Sequence, residues 1–444
     1  MFIDKAIDEF SKRNKVVIGF ELRHEYSQIS YCRADQSMPD TLSMVMGEEQ
    51  YNIPTLLCGK PEGDGHVSWT IGSDAVKNAS EGNGVLADRL VELAENQGSV
   101  CIGGEEYGAK ALLEIYIRKS LSLLSAHIRQ EDIGAVAFTM DEMQPGLMQT
   151  IREAMENIPP KKAELYFLSH EDCFFQYIIH QPQEMWIHDV LLYDYTKAGI
   201  KSHILQMNRN TNPVACFIET DNFTQMSQPD IKSMGNDKRA ELYRQLDSRL
   251  LEISRGHCEE RVVTSVFLLG DYFSKDWCRE SLRYLCRGRR VFQGNNLFSK
   301  GACYGARERM LPSTLSGEYI YLSDDKLRAN IGMKCDRGQE EIYFPILNAG
   351  TSWYDVAKEF DVMLIKNNTL SLTITPIDGS RTRIANISLE GLSVRGNKTN
   401  RIGLKFYMND PQAVWIEIKD KGFGEIFPST GKLWRECLPI EVIS

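Results

Sequence analysis

Two hydrophobic periods divide the chain. Up to about residue 311, strand-like apolar runs alternate with segments whose apolar residues recur at helical spacing. Residues 109–127 carry Leu112, Leu113, Ile115, Tyr116, Leu121 and Leu124 in that spacing, ahead of the strand-like run GAVAFTM. Residues 148–158 read as a second helix before AELYFLS. Residues 238–254 put Leu242, Leu246, Leu250 and Ile253 on one face before VTSVFLLG. Alternation of this kind predicts α/β layers. After LPSTLSG at 311–317 the period becomes two: Leu370, Leu372 and Ile374, then Ile402, Leu404, Phe406 and Met408, then Val414, Ile416 and Ile418. Turn residues such as DGS and GNKTN punctuate these runs, which predicts an antiparallel β-sandwich of about 120 residues.

One pattern occurs twice. Residues 16–32, VVIGFELRHEYSQISYC, form an apolar run, a polar turn and a second strand-like run. Residues 190–207, VLLYDYTKAGIKSHILQM, repeat the plan. Each first strand ends near an acid, Glu21 or Asp194. The pair suggests a duplicated domain whose turns face each other across a cleft.

Composition narrows the function classes. At 444 residues the chain is expected to hold two or three domains. A net charge of −10 argues against general affinity for nucleic-acid phosphates, and the basic cluster at 287–290 reads as a solvated helix end. No apolar run approaches the roughly 18 residues that span a bilayer, so no membrane partner is expected. Residues 1–13 mix charges without a signal-peptide core. Eleven cysteines form no C-x-x-C pair, and the eight histidines show no metal-ligand spacing. Reduced thiols and a cytoplasmic location follow as expectations.

The order of segments resembles the actin-like superfamily, and within it the DnaK-type heat-shock chaperones. GFELRHEYS stands where these chaperones have the first phosphate loop, and LLYDYTKAG where they have the second. YNIPTLLC and TIGSDAVKNA resemble the next strand and the segment after it. LSHEDCFFQYIIHQP resembles the connecting helix with its glutamate, here Glu171. SVFLLGDYF resembles the adenosine-side strand and turn, NNLFSKGACYGA the closing Gly-Ala-rich helix, and NIGM through VWIEIKDKGFGE the peptide-binding sandwich. The helical lid that would follow is absent from the pattern. The resemblance covers nearly the whole chain and points to a bacterial branch of the group.

The resemblance implies a two-lobed nucleotide-binding fold with a duplicated ribonuclease-H-like core over 1–311, with lobe I about 1–188 and lobe II about 189–311. A sandwich over 318–444 would bind a protein or peptide. Glu21, Glu171 and Asp194 then stand as candidate catalytic acids, with Glu21 and Asp194 as candidate holders of water-bound Mg²⁺. Arg23, His24, Thr196, Lys197, Gly199, Gly270 and Asp271 stand as candidate nucleotide-binding residues.

Departures from the family pattern bear on the chemistry. Phosphate loops use glycine because a Cβ blocks the approach of backbone N–H groups to phosphate. Here Arg23, His24 and Glu25 replace Gly-Thr-Thr, and Thr196 and Lys197 replace Gly-Gly. The lysine that the family points at the γ-phosphate falls near Ala87–Arg89, where Asp88 takes its place. Arg23, His24 and Lys197 could fill the vacated phosphate space or attract a smaller anion. The expected function is a chaperone-like binding or scaffold protein that has lost efficient ATP hydrolysis. The alternative is a Mg²⁺-dependent ATPase with rebuilt loops, in which Lys197 or Arg23 neutralises phosphate. Sugar-kinase-like phosphotransfer lacks a candidate base, and an actin-type filament former is disfavoured by the sandwich.

Overall fold

The computed structural model describes residues 15–33, 36–45, 47–62, 66–159, 163–227, 234–274, 276–294, 296–337, 340–364, 368–377, 381–392 and 400–440. The mixed-charge start at 1–13, the DGS turn and most of GNKTN lie outside the described residues. The chain divides into two compact units, residues 1–320 and 321–444.

Within the first unit, two sheets repeat one strand order. Strands β1 (Val16–Leu22) and β2 (Tyr26–Arg33) form an antiparallel hairpin. Strand β3 (Ile133–Met140) lies parallel to β1 on its other side, and β4 (Glu164–Ser169) lies parallel to β3. The short strand Asp40–Thr41 adds to β2. In the second sheet, β5 (Asp189–Thr196) and β6 (Gly199–Asn208) form the hairpin, with β7 (Val214–Phe223) antiparallel beyond β6. Strands β8 (Val263–Leu269) and β9 (Arg290–Gln293) follow on the parallel side. All seven residues of β1 are buried, as expected of a central strand covered on both faces.

Three helices position the site. Helix α1 (His170–Ile179) follows β4 directly, and Ser169 caps it: the Ser169 hydroxyl accepts from the Asp172 N–H while the Asp172 carboxylate accepts from the Ser169 N–H. This cap fixes His170 and Glu171 in the first turn. Helix α2 (Asn236–Glu259) covers the second sheet, burying Leu246 and Leu250 while Leu242 and Ile253 are only partly buried. Helix α3 (Leu297–Met310) comes late in the unit yet packs on β1, β2 and α1 of the first half. Its approach needs glycine. A Cβ on Gly19 would lie 2.0 Å from the Ser299 carbonyl oxygen, and one on Gly301 would lie 2.1 Å from that of Cys173.

The helix expected over 148–158 runs Pro145–Met155 instead, because Pro145 at the first helical position starts it a turn earlier. That expected over 109–127 ends as α-helix at Ser122 and finishes in a 3-10 turn, Leu123–Ala126. Gly103 and Gly104 form the tight turn between Ser99–Ile102 and Glu105–Gly108, both at positive φ. Among the described residues no helix is long and apolar enough to cross a membrane.

The second unit holds two four-stranded sheets. One runs in the order Glu340–Leu347, Ala329–Arg337, Thr369–Pro376, Arg383–Ser388, the other Ala357–Leu364, Asn400–Tyr407, Ala413–Asp420, Leu433–Pro439. Every pairing is antiparallel. The alternating residues Leu370, Leu372, Ile374, Ile402, Leu404, Phe406, Val414, Ile416 and Ile418 belong to one buried cluster drawn from both sheets.

Candidate functional site

The two hairpins bring their acids together. Glu21 is paired in register with Thr139 of β3, and Asp194 with Leu269 of β8, so the acids hold corresponding places in the two sheets. Two residues beyond those register partners come Asp141 and Asp271. Glu21 and Asp194 are 1% and 2% exposed.

Arg23 joins the two halves. Its Nε donates to Glu21 Oε1 at 2.5 Å, and its Nη2 donates to Asp194 Oδ2 at 2.7 Å. Asp141 Oδ1 lies 3.6 Å from Nε. The guanidinium is 4% exposed and sits over the rings of Phe298 (5.4 Å) and Tyr26 (5.6 Å). Burial alone lowers the Arg23 pKa. Asp194 leads the acidic neighbours that more than offset this, so the guanidinium stays charged. His170 stacks on Phe298 at 3.9 Å, with Nε2 3.8 Å from Glu21 and Nδ1 3.7 Å from Asp141. Neither ring nitrogen has a hydrogen-bond partner among the described residues. Burial first, then Arg23, Lys201 and His203, hold it neutral, with its pKa well below the usual imidazole value.

Glu21 titrates with the opposite sense. Burial pushes its pKa up to about 7 against the pull of Arg23, and Asp194 pushes the same way. The unfolded carboxyl ionises near 4.5. The stabilising contribution of the protonated acid is therefore complete below pH 4.5 and is lost as pH rises to about 7. Glu21→Gln mimics the protonated form. The stability of this variant minus that of the wild type should grow by about 1.4 kcal/mol per pH unit across that window, then level off. Urea titrations at several pH values measure it, and a flat difference refutes the assignment.

Above Arg23 opens a cleft of about 720 Å³, lined by both hairpin tips, Asp141 and Glu142, Asn222 to Thr224, Gly270 and Tyr272. Of the sequence candidates, Arg23, His24, Asp194, Thr196, Lys197, Gly199 and Gly270 line it. Glu21 lies beneath, against Arg23. His24 is exposed, 3.8 Å from Glu95. Thr196 and Gly199 close the two-residue turn over Lys197 and Ala198, with the Thr196 hydroxyl donating to the Gly199 carbonyl at 3.4 Å. Gly270 serves packing: at φ +97, a Cβ would stand 2.2 Å from the Tyr195 carbonyl oxygen.

Other candidates lie elsewhere. Glu171 is not a lining residue; its Oε1 is 3.6 Å from His203 Nδ1 and accepts from the Thr220 hydroxyl at 3.5 Å. Asp271 opens a 3-10 turn, and its side chain is outside what the structure describes. Asp88 is exposed and pairs with Arg89. The central residues that sequence reasoning missed are Asp141 and His170. With Asp194 they offer ligand atoms within 4.8 Å of one another, gathered from three separate segments. Their signals were local: Asp141 directly follows a buried strand, and His170 precedes the nominated Glu171.

Residues 38–324 match a family of unknown function (DUF5716) over its C-terminal part, and residues 326–440 match a domain of unknown function (DUF8552). A comparison with curated proteins found no match.

Proposed function

We propose that this chain, which belongs to the DUF5716 family, is a chaperone-like cytoplasmic scaffold of the actin-like, DnaK type whose cleft no longer hydrolyses ATP. The observation that carries the reading is the Arg23 guanidinium held between Glu21 and Asp194 at 2.5 and 2.7 Å. Under the family resemblance, water-bound Mg²⁺ would stand by those acids. A fixed positive charge engages Glu21 Oε1 and both Asp194 oxygens, and it repels a dication at a few ångströms by about a kilocalorie per mole or more, even in a high dielectric. The residues present do not fit a magnesium-bound triphosphate. Backbone access is also reduced, since Arg23, His24, Thr196 and Lys197 all carry Cβ atoms where the family has small residues or glycine.

Support for duplicated ancestry comes from the repeated strand order, with one acid at the same register position in each half. The partner would be a protein or peptide held by the sandwich. Glu340–Leu347 is the outer strand of its sheet, with Tyr343 and Phe344 each a little under half exposed, and suits addition of an extended segment.

Calorimetric titration of the full chain with ATP and Mg²⁺ tests the reading. No heat, or millimolar binding without turnover, is expected. Tight binding with steady phosphate release overturns it in favour of a working ATPase. Capture assays comparing residues 318–444 with the full chain then ask whether the sandwich alone holds the partner.

A further inference from the structure

We infer that the cleft between the hairpins takes a small zwitterion with an aromatic body, in the manner of an aromatic amino acid or a short aromatic peptide. This rests on the reading that the cleft does not accept a triphosphate. Its charges are segregated. The wall built from the β5–β6 hairpin carries Lys197 in its turn and Lys201 on β6, and the wall built from the β1–β2 tip and the segment after β3 carries Glu25 and Glu142. Arg23 and Asp194 neutralise each other at the floor. Neither Lys197 nor Glu25 makes an ion pair among the described residues, so both charges are available to a guest.

Tyr26, Phe223 and Tyr272, all partly exposed, supply aromatic surface to the same space, with the buried Tyr195 behind them. Tyr195 and Tyr272 stand 5.3 Å apart in a tilted pair. A polyanion would meet Glu25, Asp141 and Glu142, and a polycation would meet the two lysines. An uncharged apolar guest would desolvate both walls without compensation. A guest with an ammonium toward the acidic wall, a carboxylate toward the lysines and a ring against the tyrosines satisfies all three. The volume of about 720 Å³ lies within the usual range for small-molecule sites, roughly 300–1,000 Å³.

The test is a calorimetric series on the full chain with four probes sharing one ring: L-tryptophan, indole-3-propionate, tryptamine and indole. L-Tryptophan is expected to bind about ten-fold or more tightly than either singly charged analogue, and indole weakest. Lys197→Glu should weaken tryptophan and indole-3-propionate about ten-fold while sparing tryptamine. Glu25→Lys should weaken tryptophan and tryptamine while sparing indole-3-propionate. Both positions are exposed turn residues, so folding is not at stake. The double swap should restore part of the tryptophan affinity with the guest reversed. Equal affinities across the series, the tightest binding by a singly charged probe, or no binding of tryptophan below about 10 mM each overturn the inference. A separate titration with ATP and Mg²⁺ together judges the non-hydrolysing reading, which survives if it gives no heat, or millimolar binding without turnover.

Discussion

Arg23→Ala should cost about 3–5 kcal/mol of stability, as much as truncating a large buried apolar side chain. The variant strips the countercharge from Asp194 and Glu21, both nearly inaccessible to water, and leaves Asp141 facing them. It also removes the strongest polar link between the β1–β2 and β5–β6 hairpins. For a unit of this size the loss corresponds to a fall in Tm of roughly 4–7 °C, readable by calorimetry. The wild-type pair need not be net stabilising, because burying charge is itself costly. Arg23→Met with Asp194→Leu should therefore recover much of the loss, giving a large interaction term in the double-mutant cycle. An Arg23→Ala protein as stable as the wild type would mean that the guanidinium is not the element that neutralises these acids.

Gly19→Ala should be comparably severe, at about 3 kcal/mol or more. The added methyl would lie 2.0 Å from the Ser299 carbonyl oxygen and 2.5 Å from the Cys303 nitrogen, both backbone atoms of α3. No rotamer change relieves that contact, so helix and strand must part, and overpacking reaches the upper end of its usual cost. Gly256→Ala provides the control. It lies in α2, with no described atom within 4 Å of the place its Cβ would take, and should stabilise by up to about 1 kcal/mol. Chemical denaturation of both variants decides the matter. A Gly19→Ala loss no larger than that of an ordinary surface change would contradict the close strand–helix approach.

Much of the architecture was legible because period carries burial. Strand β1 and the sandwich strands declared themselves through apolar runs and alternation, and both acid-ended hairpins were visible as repeats. The interior chemistry was legible only in part. Arg23 stood out as a bulky residue in a turn, but nothing local indicates that its guanidinium turns inward, since the partner that draws it in, Asp194, is 171 residues away. His170 was hidden by its neighbour: spacing searches look for ligands on one helix or hairpin, whereas Asp141, His170 and Asp194 converge from three strand ends. Glu171 was nominated by position in the resemblance, but it lies against His203 and Thr220 and does not line the cleft.

The late position of α3 in the chain has a consequence for biosynthesis. Cys303 reaches back 286 residues to the Val17 carbonyl, and Ser299 reaches back to Ser30. Strands β1 and β2 therefore wait for a helix made 269–286 residues later, roughly 15–55 seconds at ordinary elongation rates. During that interval the face of β1 and β2 that α3 later covers is open, the kind of transient apolar surface that holding factors recognise on nascent chains.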